Sequence, residues 1–269
     1  MTVHLRSISL QHRLEDEPVY FPFSLPIIQS LETLEFTSPV TFFVGENGSG
    51  KSTVLETIAC AVGSITVSSE SVTTDNTLED IRRLANQLRC AWTKRTRKGF
   101  FLRAEDFFGF AKKQAQIRKE LEQDLRDADG ESRGRSALAA ELAGMPYKRE
   151  LADMQHRYGE GMDTHSHGES FLALFQSRFV PGGLYLLDEP EAPLSPIRQM
   201  AMISILREMI EQDAQFIIAT HSPILMAFPQ AVIYDFDSVP IKEVKYQEIE
   251  HVRLMRDFLD NPTAYISRL

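Results

Sequence analysis

Short, almost continuous apolar runs recur along the chain and alternate with segments of helical spacing. Such a run is typical of a strand that is buried on both faces of a sheet. The runs are Val40–Val44, Leu184–Leu187, Phe216–Thr220 and Val232–Phe236. The helical segments include Lys51–Ala61 and Ile197–Gln212, the second with a core-facing stripe of Ile197, Met200, Ala201, Ile205 and Leu206. This alternation predicts a mostly parallel core sheet flanked by helices.

The residues before the first of these runs follow a different pattern. Val3–Leu10 and Leu34–Phe36 are short strand signals separated by turn residues. We expect them to form a small antiparallel β subdomain at the N-terminal side of the core. A helical pattern over Leu78–Leu88 follows the polar segment Ser64–Asn76.

The middle of the chain is highly charged and poor in β-branched residues. Between Glu105 and Gly161 its leucine, isoleucine and alanine residues fall at helical spacing, most clearly over Ala111–Asp127. A break is expected at Asp129-Gly130. We therefore predict one α/β domain over residues 1–269, into which a helical subdomain of several short helices is inserted over residues 105–178.

Composition excludes some classes of protein. A chain of 269 residues with 43% hydrophobic and 25% charged residues is ordinary for a globular protein. No apolar run approaches the roughly 20 residues that span a bilayer, so we expect no membrane insertion. The N-terminus lacks a signal-peptide core, and the two cysteines form no disulfide framework. A cytoplasmic location is the expectation.

Charge bears on the choice of partner. A formal net charge of −9 argues against general affinity for nucleic acid, which rests on phosphate contacts. The basic run Lys94–Lys98 is a local exception. It falls between two strand-like runs, Arg89–Trp92 and Gly99–Arg103, and so resembles the tip of a hairpin. The run is either a solvated turn or a contact point for nucleic acid or an acidic partner.

One segment has the full G-x-x-x-x-G-K-[ST] pattern of a phosphate-binding loop. It extends from Gly45 to Thr53, directly after the predicted strand Val40–Val44 and at the start of the next helix. Backbone amides in such a loop point at phosphate oxygens, and the helix N-terminus adds its positive end. Lys51 is expected to contact the β- and γ-phosphates, and the Ser52 hydroxyl to bind Mg²⁺. The predicted nucleotide-binding residues of this loop are Gly45, Asn47, Gly48, Ser49, Gly50, Lys51, Ser52 and Thr53.

Two later strands end in residues that complete a phosphoryl-transfer site. Leu184–Leu187 leads into Asp188 and Glu189, and we expect this strand to lie beside the loop-bearing strand. Asp188 would hold Mg²⁺ through its water shell, while Glu189 would polarise or deprotonate the attacking water. His221, after Phe216–Thr220, could donate a hydrogen bond to the γ-phosphate. Lys51, Glu189 and His221 are thus the predicted catalytic residues, with ATP and Mg²⁺ as the ligands.

These motifs and their order resemble the ABC-class ATPases. The resemblance implies a head-to-tail homodimer that forms with ATP, in which each ATP lies between the loop of one chain and the signature motif of the other. The matching signature reads His165-Ser166-His167-Gly168-Glu169, where an ABC signature usually reads Leu-Ser-Gly-Gly-Gln. Ser166 would bind the γ-phosphate and Gly168 would allow close approach, although His167 replaces a glycine.

The resemblance also suggests less specific assignments. An aromatic residue ahead of the loop often stacks on adenine, and Tyr20, with Phe21 next, is the candidate; simple packing is the alternative. Glu105 stands where a glutamine of the so-called Q-loop is expected, with Gln114 as the other choice. Independently of the resemblance, the residue types of Asp163, His165 and His167 permit a zinc interpretation, in competition with the signature interpretation of the same segment.

The whole chain most resembles small ABC-type ATPases, through Asp188–Glu191 and the ending Phe258–Pro262. The first hypothesis is a switch or mechanoenzyme that acts with nucleic acid or a partner protein, as in repair or defence. The second is the motor subunit of a membrane transporter, and the third an ATP-binding regulator that hydrolyses too slowly to matter. Glu191 and the divergent signature favour the first, whereas Glu189 speaks against the third.

Overall fold

The computed structural model describes residues 3–11, 20–66, 78–131, 144–153 and 167–267. Its strands are β1 (Leu5–Leu10), β2 (Thr33–Glu35), β3 (Val40–Val44), β4 (Leu88–Trp92), β5 (Phe101–Leu102), β6 (Leu184–Asp188), β7 (Gln215–Ala219), β8 (Val232–Asp235) and β9 (Lys242–Glu243). Its helices are α1 (Pro26–Gln29), α2 (Lys51–Val62), α3 (Glu79–Asn86), α4 (Ala104–Glu131), α5 (144–153), α6 (His167–Arg178), α7 (Pro196–Glu211), α8 (Pro223–Met226), α9 (Glu250–Asp260) and α10 (Pro262–Ile266).

The core is a six-stranded sheet in the order β5-β6-β7-β3-β8-β9. All neighbouring strands are parallel except β8 and β9, which pair antiparallel. Every residue of β3 and of β7 is buried, because helices cover both faces of the sheet. The predicted α/β fold with a mostly parallel core sheet is confirmed.

The two faces of the sheet carry separate hydrophobic cores. Phe42 of β3 belongs to one core, which also includes α7, and Phe43 belongs to the other, which includes α2 and α3. Phe171 and Phe175, both fully buried, fix α6 to the first core. The Tyr185 ring of β6 extends this aromatic cluster, and its hydroxyl donates to the Val180 carbonyl at 2.8 Å.

A second sheet, in the order β2-β1-β4, is antiparallel throughout and confirms the predicted N-terminal β subdomain. Gln215, the buried first residue of β7, joins this sheet to the core sheet. Its Oε1 accepts the backbone N–H groups of His4 at 2.9 Å and of Leu5 at 2.8 Å. Its Nε2 donates to the Leu5 carbonyl at 2.9 Å. Because all these groups are buried, the junction satisfies polar atoms that water cannot reach.

The basic run Lys94–Lys98 is not the tip of a hairpin, contrary to the sequence-based expectation. The strand before it, β4, pairs with β1 in the antiparallel sheet, whereas the strand after it, β5, pairs with β6 in the core sheet. The run therefore links two sheets. Lys94 forms an ion pair with Asp213 at 2.8 Å, and Lys98 Nζ donates to the Pro181 carbonyl at 3.3 Å.

Two helices, α4 and α7, differ from prediction. Instead of a break at Asp129-Gly130, α4 continues through both residues to Glu131 and is 28 residues long. On α7, only two of the five residues of the predicted stripe are buried, and Ala201 is among the exposed ones. Ile205 and Leu206 are buried, but Ile197 is 74% exposed and Met200 53% exposed. The buried face instead continues toward the C-terminus through Met202, Met209 and Ile210.

The start of α4 is tied to the helix that follows the phosphate-binding loop. Arg103, the residue directly before α4, forms an ion pair with Glu56 of α2, with 2.9 Å between Nε and Oε1. Both side chains are largely shielded from water, and the Arg103 guanidinium also lies 5.5 Å from the centre of the Phe101 ring. No helix among the described residues is both long and apolar enough to cross a membrane.

Candidate functional site

The loop from Gly45 to Gly50 joins β3 to α2 at the carboxyl end of the sheet, where open α/β sheets bind ligands. Two of its glycines are required by space and by backbone geometry. Gly50, with φ of +97°, caps α2, and a Cβ there would lie 2.6 Å from Ile27. Gly45, with φ of +143°, would bring a Cβ to 2.9 Å from the Ser49 hydroxyl. Side chains at these positions would open the loop.

Lys51 crosses this loop and is only 4% exposed. Its Nζ donates hydrogen bonds to the carbonyls of Gly45, at 2.7 Å, and of Glu46, at 2.8 Å. Burial lowers the pKa of the ammonium, and nearby carboxylates, Asp237 first among them, oppose this shift. The Lys51 ammonium thus lies at the loop, where an anionic ligand would give it a further polar partner.

Ser52 and Asp188 meet at the end of the sheet. The Ser52 hydroxyl donates to Asp188 Oδ1 at 3.2 Å, although the two residues lie on α2 and β6. The expectation that β6 lies beside β3 is wrong, because β7 separates them. Burial raises the pKa of Asp188 to about 7, and neighbouring Glu189 adds to the shift. The Ser52 hydroxyl and the Asp188 carboxylate are oxygen donors of the kind that Mg²⁺ prefers. A bound cation would also stabilise the negative charge of the buried carboxylate.

The raised pKa of Asp188 predicts a pH dependence of stability in metal-free buffer. A carboxyl whose pKa rises from 3.8 to about 7 on folding binds more protons in the folded state. Its stabilising contribution is complete below pH 3.8 and is lost as the pH rises through about 7. Urea unfolding should therefore give a free energy of unfolding that falls between about pH 4 and pH 7, and less steeply in Asp188→Asn. Equal slopes in the two proteins would contradict the assignment.

Glu189 and His221 face each other where β6 and β7 end. The Glu189 backbone N–H donates to the Ala219 carbonyl at 2.9 Å, and its φ of +46° lies in the left-handed region. Such a conformation is uncommon outside glycine and, where it occurs, often marks a functional site. Glu189 Oε1 lies 3.7 Å from His221 Nε2, and the two side chains are 41% and 36% exposed.

The environment of His221 favours the neutral imidazole. Partial burial lowers its pKa, and the positive charge of Lys51 lowers it further. A neutral ring can still donate one hydrogen bond, as the predicted contact with a γ-phosphate requires. Lys51, Ser52, Asp188, Glu189 and His221 are thus brought together at one edge of the sheet, and the roles assigned to them remain predictions.

Asp237 was missed by the motif-based reasoning. Its carboxylate accepts the Glu46 backbone N–H through Oδ1 at 2.8 Å and Oδ2 at 3.1 Å. This contact anchors the phosphate-binding loop to the segment after β8. The position of Asp237 just past a buried parallel strand, where ligand-binding residues collect, was a signal that could have drawn attention to it.

Only some of the remaining predicted residues lie in the part of the chain that the structure describes. Tyr20 packs edge-on against Phe23, with ring centres 5.5 Å apart, and its hydroxyl accepts from Arg83 at 3.4 Å. Packing is thus observed, and stacking on adenine stays a prediction. Gly168 lies in the first turn of α6, while Ser166 lies outside the described residues, as do Asp163 and His165 of the zinc interpretation. Among the described residues, no group of three or more His, Cys, Asp or Glu side chains is placed to hold a metal ion.

A glycine-rich loop between a parallel strand and a helix, with a lysine, a serine and a strand-end carboxylate around it, defines a P-loop nucleotide-binding fold. Two family models match the sequence. One, described as "AAA domain", matches residues 23–156, and one, described as "AAA domain, putative AbiEii toxin, Type IV TA system", matches residues 170–227. Both descriptions name an AAA domain, so the chain carries an ATPase domain of this type. No curated protein matches its sequence.

Several solved structures are similar to the chain. The Smc head domain of Pyrococcus furiosus, bound to the C-terminal domain of ScpA, has 11% identity and a TM-score of 0.45, over 96% of this chain and 99% of that one. The cbiO1 protein of Clostridium perfringens, part of an ABC transporter complex, has 14% identity and a TM-score of 0.47, over 99% and 100%. The ABC transporter cassette MJ1267, in its ADP conformation, has 17% identity and a TM-score of 0.46, over 97% and 96%. Sequence identities and TM-scores this low do not support assigning the function of any of these proteins to this chain.

Proposed function

We propose that the chain binds and hydrolyses ATP with Mg²⁺, and that two copies close head-to-tail around the nucleotide in the cytoplasm. The supporting observation is the convergence of Lys51, Ser52, Asp188, Glu189 and His221 at one edge of the sheet. These residues come from α2 and from the ends of β6 and β7, so only the folded chain places them together. Phosphoryl transfer needs this combination of an anion cradle, a metal anchor and a group that orients water.

The chain's own residues would divide the chemistry among them. The loop amides and Lys51 would hold the β- and γ-phosphates, and Ser52 and Asp188 would hold Mg²⁺, which supplies charge neutralisation when bound. Glu189 would orient the attacking water and accept its proton. His221, as a neutral imidazole, would donate a hydrogen bond to the γ-phosphate. The overall reaction would be hydrolysis, in which ATP and water give ADP and phosphate.

Solvent exposure supports the dimer. Glu189 and His221 are 41% and 36% exposed in the single chain, whereas water must be excluded from a site in which charge is to be stabilised effectively. A second copy that contributes Ser166 and the adjoining Gly168 would cover this edge. ATP would then shift the population toward the closed pair, because it contacts both halves only in that state.

The process that the ATPase serves is proposed to involve nucleic acid or a partner protein, as in defence or repair. The family description for residues 170–227 names a toxin of a toxin–antitoxin system, in keeping with defence. Exposed Arg95 and Arg97, in the link between the two sheets, offer cationic side chains on an otherwise acidic protein. We expect these two arginines to contact the phosphate backbone.

The test is ATP hydrolysis with and without double-stranded DNA over a series of salt concentrations. Stimulation is expected at low salt and should fall steeply as salt rises, because phosphate contacts release counterions. An Arg95→Gln, Arg97→Gln variant should keep the basal rate and lose the stimulation. DNA without effect at every salt concentration would exclude DNA as the partner and leave a protein partner or the transporter motor. Absence of basal hydrolysis would overturn the enzymatic proposal itself.

A further inference from the structure

The chain reverses direction immediately after β6, in two consecutive turns. Ala192 N–H donates to the Glu189 carbonyl at 3.1 Å, and Leu194 N–H donates to the Glu191 carbonyl at 2.8 Å. We call residues 189–194 the β6 turn. Its first residue, Glu189, has a left-handed backbone, and this brings the side chain of Glu191 back toward the end of β7.

The Glu191 carboxylate meets the backbone of the predicted catalytic histidine. Its Oε1 accepts the His221 N–H at 2.7 Å, a short bond between a charged acceptor and a main-chain donor. The carboxylate is largely shielded from water, and burial raises its pKa. A carboxylate kept in this environment needs its hydrogen bonds, because desolvation would otherwise be uncompensated.

A second bridge joins the same two segments on the other side of His221. Gln199 of α7 donates from Nε2 to the carbonyl of Leu194, which ends the β6 turn, at 3.0 Å. Its Oε1 accepts the hydroxyl of Ser222, the residue after His221, at 2.5 Å. The backbone of His221 is therefore held between two contacts that both lead back to the β6 turn.

The imidazole of His221 is less constrained than its backbone. Its Nε2 lies 3.7 Å from Glu189 Oε1 and makes no hydrogen bond within the described residues. The ring's place beside Glu189 thus depends on where its backbone is held. A shift of the main chain at His221 would move the ring without breaking any direct bond of Nε2.

We propose that Glu191 is a positioning residue, which fixes His221 relative to Glu189 through the His221 N–H, so that both groups act on the γ-phosphate as one unit. The catalytic consequence of this inference rests on the proposed ATP hydrolysis. The hydrogen bond between Glu191 and the His221 N–H does not depend on that proposal. The expected signature is a loss in kcat with little change in KM. Misplacing a catalytic group by about 1 Å costs on the order of 100-fold in rate.

The test compares Glu191→Ala with Glu191→Gln and a control. Alanine leaves the His221 N–H without an acceptor, so kcat should fall about 30- to 100-fold while KM changes less than about threefold. Glutamine keeps an acceptor oxygen at the same reach and should restore kcat to within about fivefold of wild type. Glu208→Ala, on the exposed side of α7, should match wild type.

A second readout needs no catalysis. Hydrogen–deuterium exchange of the His221 amide in nucleotide-free protein should be faster in Glu191→Ala than in wild type and near wild type in Glu191→Gln. If Glu191→Ala does not fold, Glu191→Asp serves in its place, because its shorter side chain cannot reach the His221 N–H from the same backbone.

The outcomes separate this inference from the proposed function. Wild-type protein that hydrolyses no ATP would overturn the function and leave the exchange experiment as the test of positioning. Unchanged exchange in Glu191→Ala, or equal losses of kcat in Glu191→Ala and Glu191→Gln, would overturn the positioning role. A rise in KM of the same size as the loss in kcat would also overturn it, because that pattern indicates damage to nucleotide binding.

Discussion

Replacing Lys51 by alanine is expected to weaken ATP binding at least about 100-fold, which corresponds to about 2.8 kcal/mol. Two effects combine. The site loses the cation that would contact the phosphates, and the loop loses the ammonium that now bridges the carbonyls of Gly45 and Glu46 at 2.7 and 2.8 Å. Isothermal titration calorimetry with ATP and Mg²⁺ measures the change directly.

Two further variants separate these effects from general damage. Lys51→Met keeps most of the apolar length of the side chain, so a loss equal to that of alanine would assign the effect to the charge. Lys94→Ala removes an exposed lysine that pairs with Asp213 far along the chain, and it should bind ATP as wild type does. Intact affinity in Lys51→Ala would contradict the assignment of the loop to phosphate.

The second large effect is expected for Glu189→Gln. Glutamine is nearly isosteric and accepts the same left-handed backbone about as well, so folding and ATP binding should be preserved. It cannot take a proton from water at neutral pH, so kcat should fall about 100- to 10,000-fold. Steady-state hydrolysis and calorimetry with the same protein preparation measure both quantities.

The same variant tests the dimer. With hydrolysis blocked, ATP and Mg²⁺ should accumulate the closed pair, visible as a doubling of mass in sedimentation analysis. Glu208→Gln, on the exposed side of α7, should hydrolyse normally and accumulate no dimer. Unchanged turnover in Glu189→Gln would remove this residue as the base, and a strictly monomeric Glu189→Gln protein at saturating ATP would contradict the ATP-dependent dimer.

Local rules predicted much of the core and of the candidate site. Strands buried on both faces have continuous apolar runs, so β3, β6, β7 and β8 were visible from sequence alone. The phosphate-binding loop was also predictable, because its glycines are required by the backbone geometry of a few neighbouring residues. These features depend on near neighbours in the chain, which is why the sequence alone reveals them.

Features that depend on distant partners were not predictable in this way. No pattern in β6 tells that β7 intervenes between it and β3, and none in β4 tells that its partner is β1. Asp237 lies outside every motif, and its contact with the Glu46 amide follows from the tertiary fold. The Glu191–His221 bond likewise arises from a turn whose direction only the structure shows.

The predictions of where α4 breaks and of which face of α7 is buried were wrong for energetic reasons. One glycine within a helix costs about 1 kcal/mol, too little to stop α4 at Gly130. On α7, apolar residues occur on more than one side, so periodicity alone could not choose between the exposed Ile197 and the buried Met202. Packing against the sheet made the choice.

The ion pair between Arg103 and Glu56 connects the start of α4 to α2. Arg103 immediately precedes the longest described helix, and Glu56 lies on the helix that begins with Lys51. A displacement of the start of α4 would also displace α2, or it would separate two charges that are shielded from water, which is costly. We expect such a displacement to reach the predicted phosphate-binding loop at the start of α2, and a change in that loop to reach α4 by the same contact.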